Sequence, residues 1–157
     1  MVSTDDDGPT VPRIIPPLWN LLWSGVQIGL TVQAGGRRRF RGQAALAGLL
    51  GAGGLVLGAT ALGLFARAGT TWEPHRPAEA TTLVTSGLYA YTRNPMYCSI
   101  LLILLGNAVW SGRLRTLIAL PGLVLSLQPQ IETEERVLTT LFGDEYEAYR
   151  AAVPRWI

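Results

Sequence analysis

Four long stretches of the chain contain no charged residue, and this pattern limits the possible folds more than any other feature. They have 23, 25, 19 and 16 residues, in the order Ile14–Gly36, Gly42–Ala66, Asn94–Gly112 and Thr116–Ile131. A helix needs about 20 apolar residues to cross the hydrocarbon core of a bilayer. The first three stretches are about long enough, and the fourth is slightly short. The sequence therefore predicts an all-α, polytopic membrane protein with about four transmembrane helices.

A soluble helical bundle with buried core helices is the alternative to this membrane fold. The composition favours the membrane protein, because 48% of the 157 residues are hydrophobic and only 15% are charged. The apolar residues also occur in blocks long enough to span a membrane. Trp19 and Trp23 lie near the start of the first block, where an interfacial aromatic belt is expected.

Charge and residue usage exclude several classes of function. All 13 basic residues are arginines, and they lie outside the four uncharged stretches. This distribution does not favour nucleic-acid binding. The single cysteine, Cys98, excludes an intrachain disulfide, and with the single histidine, His75, it makes a metal site unexpected.

Three regions follow from the pattern along the chain. Residues 1–13 are predicted to form a disordered acidic tail, residues 14–68 two packing transmembrane helices, and residues 69–157 a catalytic region. The second helix carries small residues at helical spacing, which let helix backbones approach closely in a membrane. They form two stripes, Gly48, Ala52 and Val56, and Gly54, Gly58 and Leu62.

A polar segment, Leu83–Tyr97, precedes the third apolar stretch and reads LVTSGLYAYTRNPMY. Polar residues at the mouth of a membrane helix are costly, and they often mark a functional site. A purely structural explanation is also open. Asn94 can cap the helix, Pro95 suits its first position, and Arg93 can extend to the lipid headgroups.

The last part of the chain is amphipathic. Glu134 and Glu135 border an apolar stripe that includes Ile131, if this segment is helical. Gly143 is expected to end that helix and Asp144 to cap the next one. The glutamates could instead form a solvated helix face.

Together, the two polar segments resemble the isoprenylcysteine carboxyl methyltransferase and phospholipid methyltransferase superfamily. Its signature is Arg-His-Pro followed by a distant Glu-Glu pair, and here TRNPMY precedes IETEERVL across two apolar stretches. The resemblance covers about residues 69–156. It implies a multi-pass membrane methyltransferase with a catalytic C-terminal hairpin and cytosolic helices. It also implies S-adenosyl-L-methionine as cofactor and a lipophilic or lipid acceptor that enters from the bilayer.

The same resemblance implies roles for individual residues. Arg93 would orient charged groups, Glu135 would support the helix or the pocket, and Gln130 would face the substrate. The remaining positions would bind the cofactor: Thr82, Leu83, Val84, Tyr89, Asn94, Pro95, Met96, Tyr97 and Glu134.

Two positions depart from the superfamily pattern. Asn94 replaces the signature histidine, and an amide cannot move a proton near neutral pH. An acceptor that is already an ionised carboxylate would not need that proton removed. Gln130, however, stands where prenylcysteine enzymes have an arginine for the substrate carboxylate. These departures point in opposite directions, and they leave the acceptor class open.

Two other functions and the membrane orientation also stay open. A sterol-reductase-like enzyme that uses NADPH and a non-enzymatic membrane scaffold are the competing functions. The arginines at 37–41 favour a cytoplasmic location for that loop, which would put Gly69–Tyr97 outside. A nucleotide-like cofactor requires the opposite. We expect a bacterial inner-membrane protein with its site facing the cytosol.

Overall fold

The computed structural model describes residues 16–32, 39–70 and 81–157, and within these ranges the chain forms helices and no strands. The helices are α1 (Pro16–Val32), α2 (Gln43–Ala68), α3 (Pro95–Ser111), α4 (Ala119–Phe142) and α5 (Asp144–Ala152), with 3₁₀ segments at Gly87–Ala90 and Leu114–Ile118. The all-α prediction is confirmed. The predicted acidic tail and the part of the polar loop at 71–80, with His75, lie outside the described residues.

Helix α2 has the properties of a complete membrane span. It has 26 residues, and only 11% of its apolar 18-residue stretch is buried inside the molecule. Its outward face exposes large side chains, which an apolar solvent would cover: Leu46, Leu49, Leu55, Val56 and Leu62. Helix α3 is also apolar but has 17 residues. Of the four predicted spans, α2 is the one described helix with both the length and the hydropathy to cross a bilayer.

Glycines allow α2 to lie directly against α3. A Cβ atom at Gly54 would be 2.7 Å from the Ser99 carbonyl oxygen and 2.6 Å from Ile103 Cγ1, and one at Gly58 would be 2.9 Å from Ser99 Oγ. The predicted stripe through Gly54 and Gly58 is therefore an interface with α3. The other stripe is exposed along its length, at Gly48, Ala52 and Val56.

A buried glutamine joins α1 to the rest of the bundle. Gln27 is completely buried. Its Nε2 donates to the carbonyls of Leu104 (2.9 Å) and Thr116 (3.2 Å), and its Oε1 accepts from Asn107 Nδ2 at 2.6 Å. Side-chain hydrogen bonds of this kind stabilise helix association where water is absent.

The tryptophans of α1 are partly buried against neighbouring helices. Trp19 and Trp23 both pack against the main hydrophobic cluster. Trp23 Nε1 donates to Ser126 Oγ at 3.0 Å, and its ring lies so close to Gly122 that a Cβ atom there would overlap it. The indole N–H needs a partner when buried, and α4 supplies one.

Helix α4 joins the fourth apolar stretch to the amphipathic segment that carries Glu134 and Glu135. It is one helix that continues through Pro129. Leu123, Leu127 and Ile131 are almost completely buried along this helix. The continuous apolar stripe explains why the helix does not break at the proline.

The connection from α4 to α5 differs from the prediction in one detail. Gly143, with a φ of +51°, ends α4 as expected, because glycine adopts this conformation without a Cβ penalty. Asp144 is the first residue of α5, preceded by Gly143, and no side chain caps the helix. Asp144 therefore does not cap α5.

Candidate active site

Glu135 lies between two arginines. Arg93 Nη1 donates to Oε1 at 2.8 Å; Arg155 donates from Nε to Oε1 at 2.9 Å and from Nη2 to Oε2 at 2.6 Å. The side chains of Arg93 and Glu135 are only 11% and 12% exposed. A buried charge requires such compensation, and the hydrogen bonds to Glu135 raise the pKa of Arg155.

The neighbouring Glu134 has a different environment. Its Oε1 accepts hydrogen bonds from Tyr97 Oη at 2.8 Å and Gln130 Nε2 at 2.9 Å. Its Oε2 accepts none from the described part of the chain. Burial raises the pKa of Glu134, the two hydrogen bonds lower it, and the nearby Glu135 raises it further. Glu134 is therefore a partly buried carboxylate held by neutral donors, and no arginine of the described residues pairs with it.

Asn94 does not cap α3 with its side chain. It occupies the position before the helix, and Pro95 follows at the first helical position as expected. Its Nδ2, however, donates to the Arg155 carbonyl at 3.1 Å, which also accepts from Thr92 Oγ1 at 3.1 Å. Arg93 binds Glu135 and does not extend away to headgroups. The structural explanation from sequence is thus wrong for the side chains of Arg93 and Asn94.

Tyr89 lines a second apolar cluster at the end of α2. It is buried there with Val84 and Ala61, and Met96 packs against them. Its backbone carbonyl accepts a hydrogen bond from Tyr149 Oη at 2.7 Å, and burial raises the pKa of both phenols. Among the other predicted cofactor positions, Leu83 is half-buried and Thr82 is exposed.

An open groove of about 600 Å³ lies beside Glu135, between α4 and α5. The lining combines acidic, basic and hydroxyl side chains: Glu132, Glu135, Arg136, Thr139, Thr140, Glu147 and Arg150. Glu134 does not line it. Arg150 pairs with Glu147 at 2.9 Å. Glu135 thus lines a surface groove as well as pairing with the two arginines.

Comparison with known proteins assigns this arrangement to a family. Residues 43–145, which include the Arg93-Asn94-Pro95 segment and both glutamates, match the phospholipid methyltransferase family. The chain belongs to the phospholipid methyltransferase family. No solved structure matches the chain. The resemblance seen in the sequence is confirmed.

Two similar proteins are consistent with this family assignment. It is 41% identical over 76 residues to the Protein-S-isoprenylcysteine O-methyltransferase of Schizosaccharomyces pombe, covering 48% of this chain and 32% of that protein. It is 41% identical over 63 residues to an uncharacterized protein of Haemophilus influenzae, covering 40% of this chain and all of that protein. The chain thus spans about a third of the S. pombe enzyme. These findings support the predicted methyltransferase. They give no support to a sterol reductase or a non-enzymatic scaffold.

The structure of this methyltransferase family member brings some of the predicted site residues together and adds contacts that were not predicted. The structure brings Arg93 to Glu135, and Tyr97 and Gln130 to Glu134. Three contacting residues were not predicted: Arg155, Tyr146, whose Oη accepts from Arg93 Nη1 at 3.3 Å, and Tyr149. The only local signals for them were two tyrosines three residues apart on α5 and an arginine directly after Pro154.

Proposed function

We propose that this protein is a membrane methyltransferase that transfers a methyl group from S-adenosyl-L-methionine to a lipophilic acceptor. The observation that carries the proposal is the contrast within the Glu pair. Glu135 is neutralised by two arginines, whereas the partly buried Glu134 has no ion pair among the described residues. A carboxylate of this kind is suited to bind a cation.

The residues present fit this methyl donor. S-adenosyl-L-methionine carries an ammonium, a sulfonium and a carboxylate. Glu134 offers Oε2 to a cation, and Arg93 Nε is buried without a hydrogen-bond partner in the described chain. A buried hydrogen-bond donor without an acceptor is energetically costly. The carboxylate of the bound methyl donor would accept a hydrogen bond from it. When bound, S-adenosyl-L-methionine supplies a methyl group activated by its positive sulfur.

The chain's own residues then align and shield the reactants. Tyr97 and Gln130 fix the Glu134 carboxylate, and Tyr89, Val84 and Met96 form an apolar wall at the end of α2. Methyl transfer is an in-line displacement, so alignment and exclusion of water contribute more than a strong base. Proximity of correctly oriented groups can supply about 7–11 kcal/mol of the barrier reduction.

The acceptor we propose is a carboxylate on a lipophilic molecule, as in isoprenylcysteine carboxyl methylation. Asn94 cannot remove a proton, and its amide is already bonded to the Arg155 carbonyl. An ionised carboxylate acceptor does not need that step. Gln130 is bonded to Glu134, so its contact with substrate would be through its remaining polar atoms. The similarity to the S. pombe enzyme supports this acceptor class.

The direct test is to incubate membranes that contain the protein with radiolabelled S-adenosyl-L-methionine and to identify the labelled product. Base-labile label on a prenylated cysteine carboxylate supports the proposal, because methyl esters hydrolyse in base. Label on a phospholipid amine would show that the acceptor is an amine, while still supporting methyl transfer as the reaction. Binding of NADPH with no binding of the methyl donor would overturn the proposal.

Replacing Glu134 with glutamine tests the cation site. We expect Glu134→Gln to weaken binding of S-adenosyl-L-methionine about 10- to 100-fold, because a charged hydrogen bond contributes about 1.5–3 kcal/mol. Isothermal titration of the detergent-purified protein measures the change. Glu132→Gln is the matched control, since Glu132 is on the same helix and exposed; equal losses in both variants would contradict the assigned role.

Donor binding should also depend on pH through Glu134. The folded-state pKa of this carboxyl is raised above its ordinary value of 4.5, and a protonated carboxyl cannot pair with a cation. Affinity is therefore expected to fall as the pH falls through the raised pKa, and Glu134→Gln should remove this dependence. The unliganded protein should respond oppositely, losing stability as the pH rises from about 4.5 through that pKa, because the folded state then binds more protons than the unfolded state. Titrations and thermal unfolding from pH 4 to pH 8 measure both trends.

For the location of the site, we infer a multi-pass protein of the bacterial inner membrane with the Glu pair on the cytosolic side. The family's membrane association and the lipid-suited face of α2 support the membrane location, and the cytosolic side follows from the proposed nucleotide-like cofactor. Labelling a cysteine introduced at the exposed Glu145, with Cys98 replaced by serine, tests it. Reaction from the periplasmic side alone would reject the cytosolic placement.

A further inference from the structure

We propose that Arg155 is a positioning residue of the methyl-donor site, which acts by neutralising Glu135 and so leaves Glu134 as the carboxylate available to the donor. This inference rests on the proposed function. Arg155 lies after α5 and outside the residues that match the family, 43–145.

The side chain of Arg155 is fully engaged with α4. Nε and Nη2 form a two-pronged contact with both oxygens of Glu135, and Nη1 donates to Gln128 Oε1 at 3.0 Å. A planar guanidinium matches a carboxylate in this geometry, which a lysine cannot reproduce. The Arg155 side chain is 30% exposed, whereas that of Arg93 is 11% exposed.

The backbone of the same segment holds the loop before α3. The Arg155 carbonyl accepts from Thr92 Oγ1 and Asn94 Nδ2, and the Pro154 carbonyl accepts from the Arg93 N–H at 2.9 Å. Residues 154–155 thus connect the Arg-Asn-Pro segment with the Glu pair. Asn94 therefore has a role that its position in the signature did not suggest, because its side chain holds the segment that carries Arg155.

Charge balance explains how Arg155 acts on Glu134. The titratable groups around Glu134 are Glu135 on its own helix, Tyr97 on α3 and Tyr89 before α3. Both arginines act on it through Glu135. Without Arg155, Glu135 keeps one counter-ion, and its negative charge acts more strongly on Glu134. Glu134 would then take up a proton at a higher pH, where it cannot bind a cation.

The experiment measures binding of S-adenosyl-L-methionine against pH for the wild type, Arg155→Gln and Arg155→Lys. We expect Arg155→Gln to move the midpoint of the pH dependence upward by about one unit, as expected for loss of a neighbouring charge. Arg155→Lys restores the charge without the two-pronged contact, so its midpoint should stay near that of the wild type while its affinity is lower. Arg150→Gln is the control, because Arg150 forms an exposed pair with Glu147 and contacts neither glutamate of the pair.

The outcomes separate this inference from the proposed function. A residue with a purely structural role would lower the amount of binding-competent protein without moving the midpoint, so an unchanged midpoint in Arg155→Gln overturns the inference alone. If Arg155→Gln does not fold, as judged by circular dichroism, Arg155→Lys decides: a midpoint near that of the wild type supports the inference, and an upward shift despite the restored charge overturns it. Failure of the wild type to bind the donor at any pH overturns the inference together with the proposed function.

Discussion

Replacing Glu135 with alanine is expected to destabilise the folded protein by about 3–5 kcal/mol, because it leaves buried positive charge without a partner. Arg93, at 11% exposure, would lose its only counter-ion among the described residues, and Arg155 would lose both prongs of its contact. The ion pair from α4 to the loop before α3 would be lost, and the segment after α5 would keep only the hydrogen bond from Arg155 to Gln128 of the side-chain contacts that Arg155 makes with α4. Thermal unfolding in detergent, followed by circular dichroism, measures the loss.

A matched variant on the same helix provides the comparison. Glu132 is exposed, and Glu132→Ala should change stability by no more than about 0.5 kcal/mol. If Glu135→Ala were as stable as Glu132→Ala, the arginine pairs would contribute little, and the resemblance-based role of Glu135 as a support of the pocket would be wrong.

The second large effect is expected at the glycine interface between α2 and α3. Gly54→Leu places a side chain where even a Cβ atom would lie 2.7 Å from a backbone oxygen of α3. A backbone atom cannot rotate away, so the helices must separate. Overpacking a core typically costs about 1–3 kcal/mol, and more when backbone must move. We expect little or no folded protein on size-exclusion chromatography after detergent extraction.

Gly48→Leu distinguishes this clash from a general effect of bulk on α2. Gly48 lies on the same helix, and a Cβ atom there meets nothing within 4 Å. This variant should elute and unfold like the wild type. A folded Gly54→Leu protein with a wild-type elution profile would show that α2 and α3 can separate slightly without loss of the bundle.

The local features that sequence predicts well are those with a strong periodic or conformational cause. Gly143 ends α4 and Pro95 begins α3 as predicted, since each depends on the residue's own backbone preference. The predicted third stretch, Asn94–Gly112, differs from α3 by one residue at each end. The extent of α4 beyond the fourth stretch was not predicted, and burial of Leu127 and Ile131 stabilises a continuous helix despite Pro129.

Side-chain partners were less accessible to sequence reasoning. Trp23 and Arg93 both suit a membrane interface by residue type, yet each is turned inward to a specific partner, Ser126 and Glu135. Residue type indicates what a group can bind, whereas the partner depends on which helices meet. Those contacts join residues 103 and 42 positions apart.

The sequence by itself determined the helical class, the positions of the apolar stretches and the two polar segments that place the chain in its family. Only the tertiary structure decided how the adjacent glutamates differ. They are neighbours on one helix, but successive helical positions point about 100° apart, so Glu135 meets two arginines and Glu134 meets a tyrosine and a glutamine. Arg155 contributes to that difference because the chain after α5 returns to the Arg-Asn-Pro segment. No local pattern in the sequence predicts this contact.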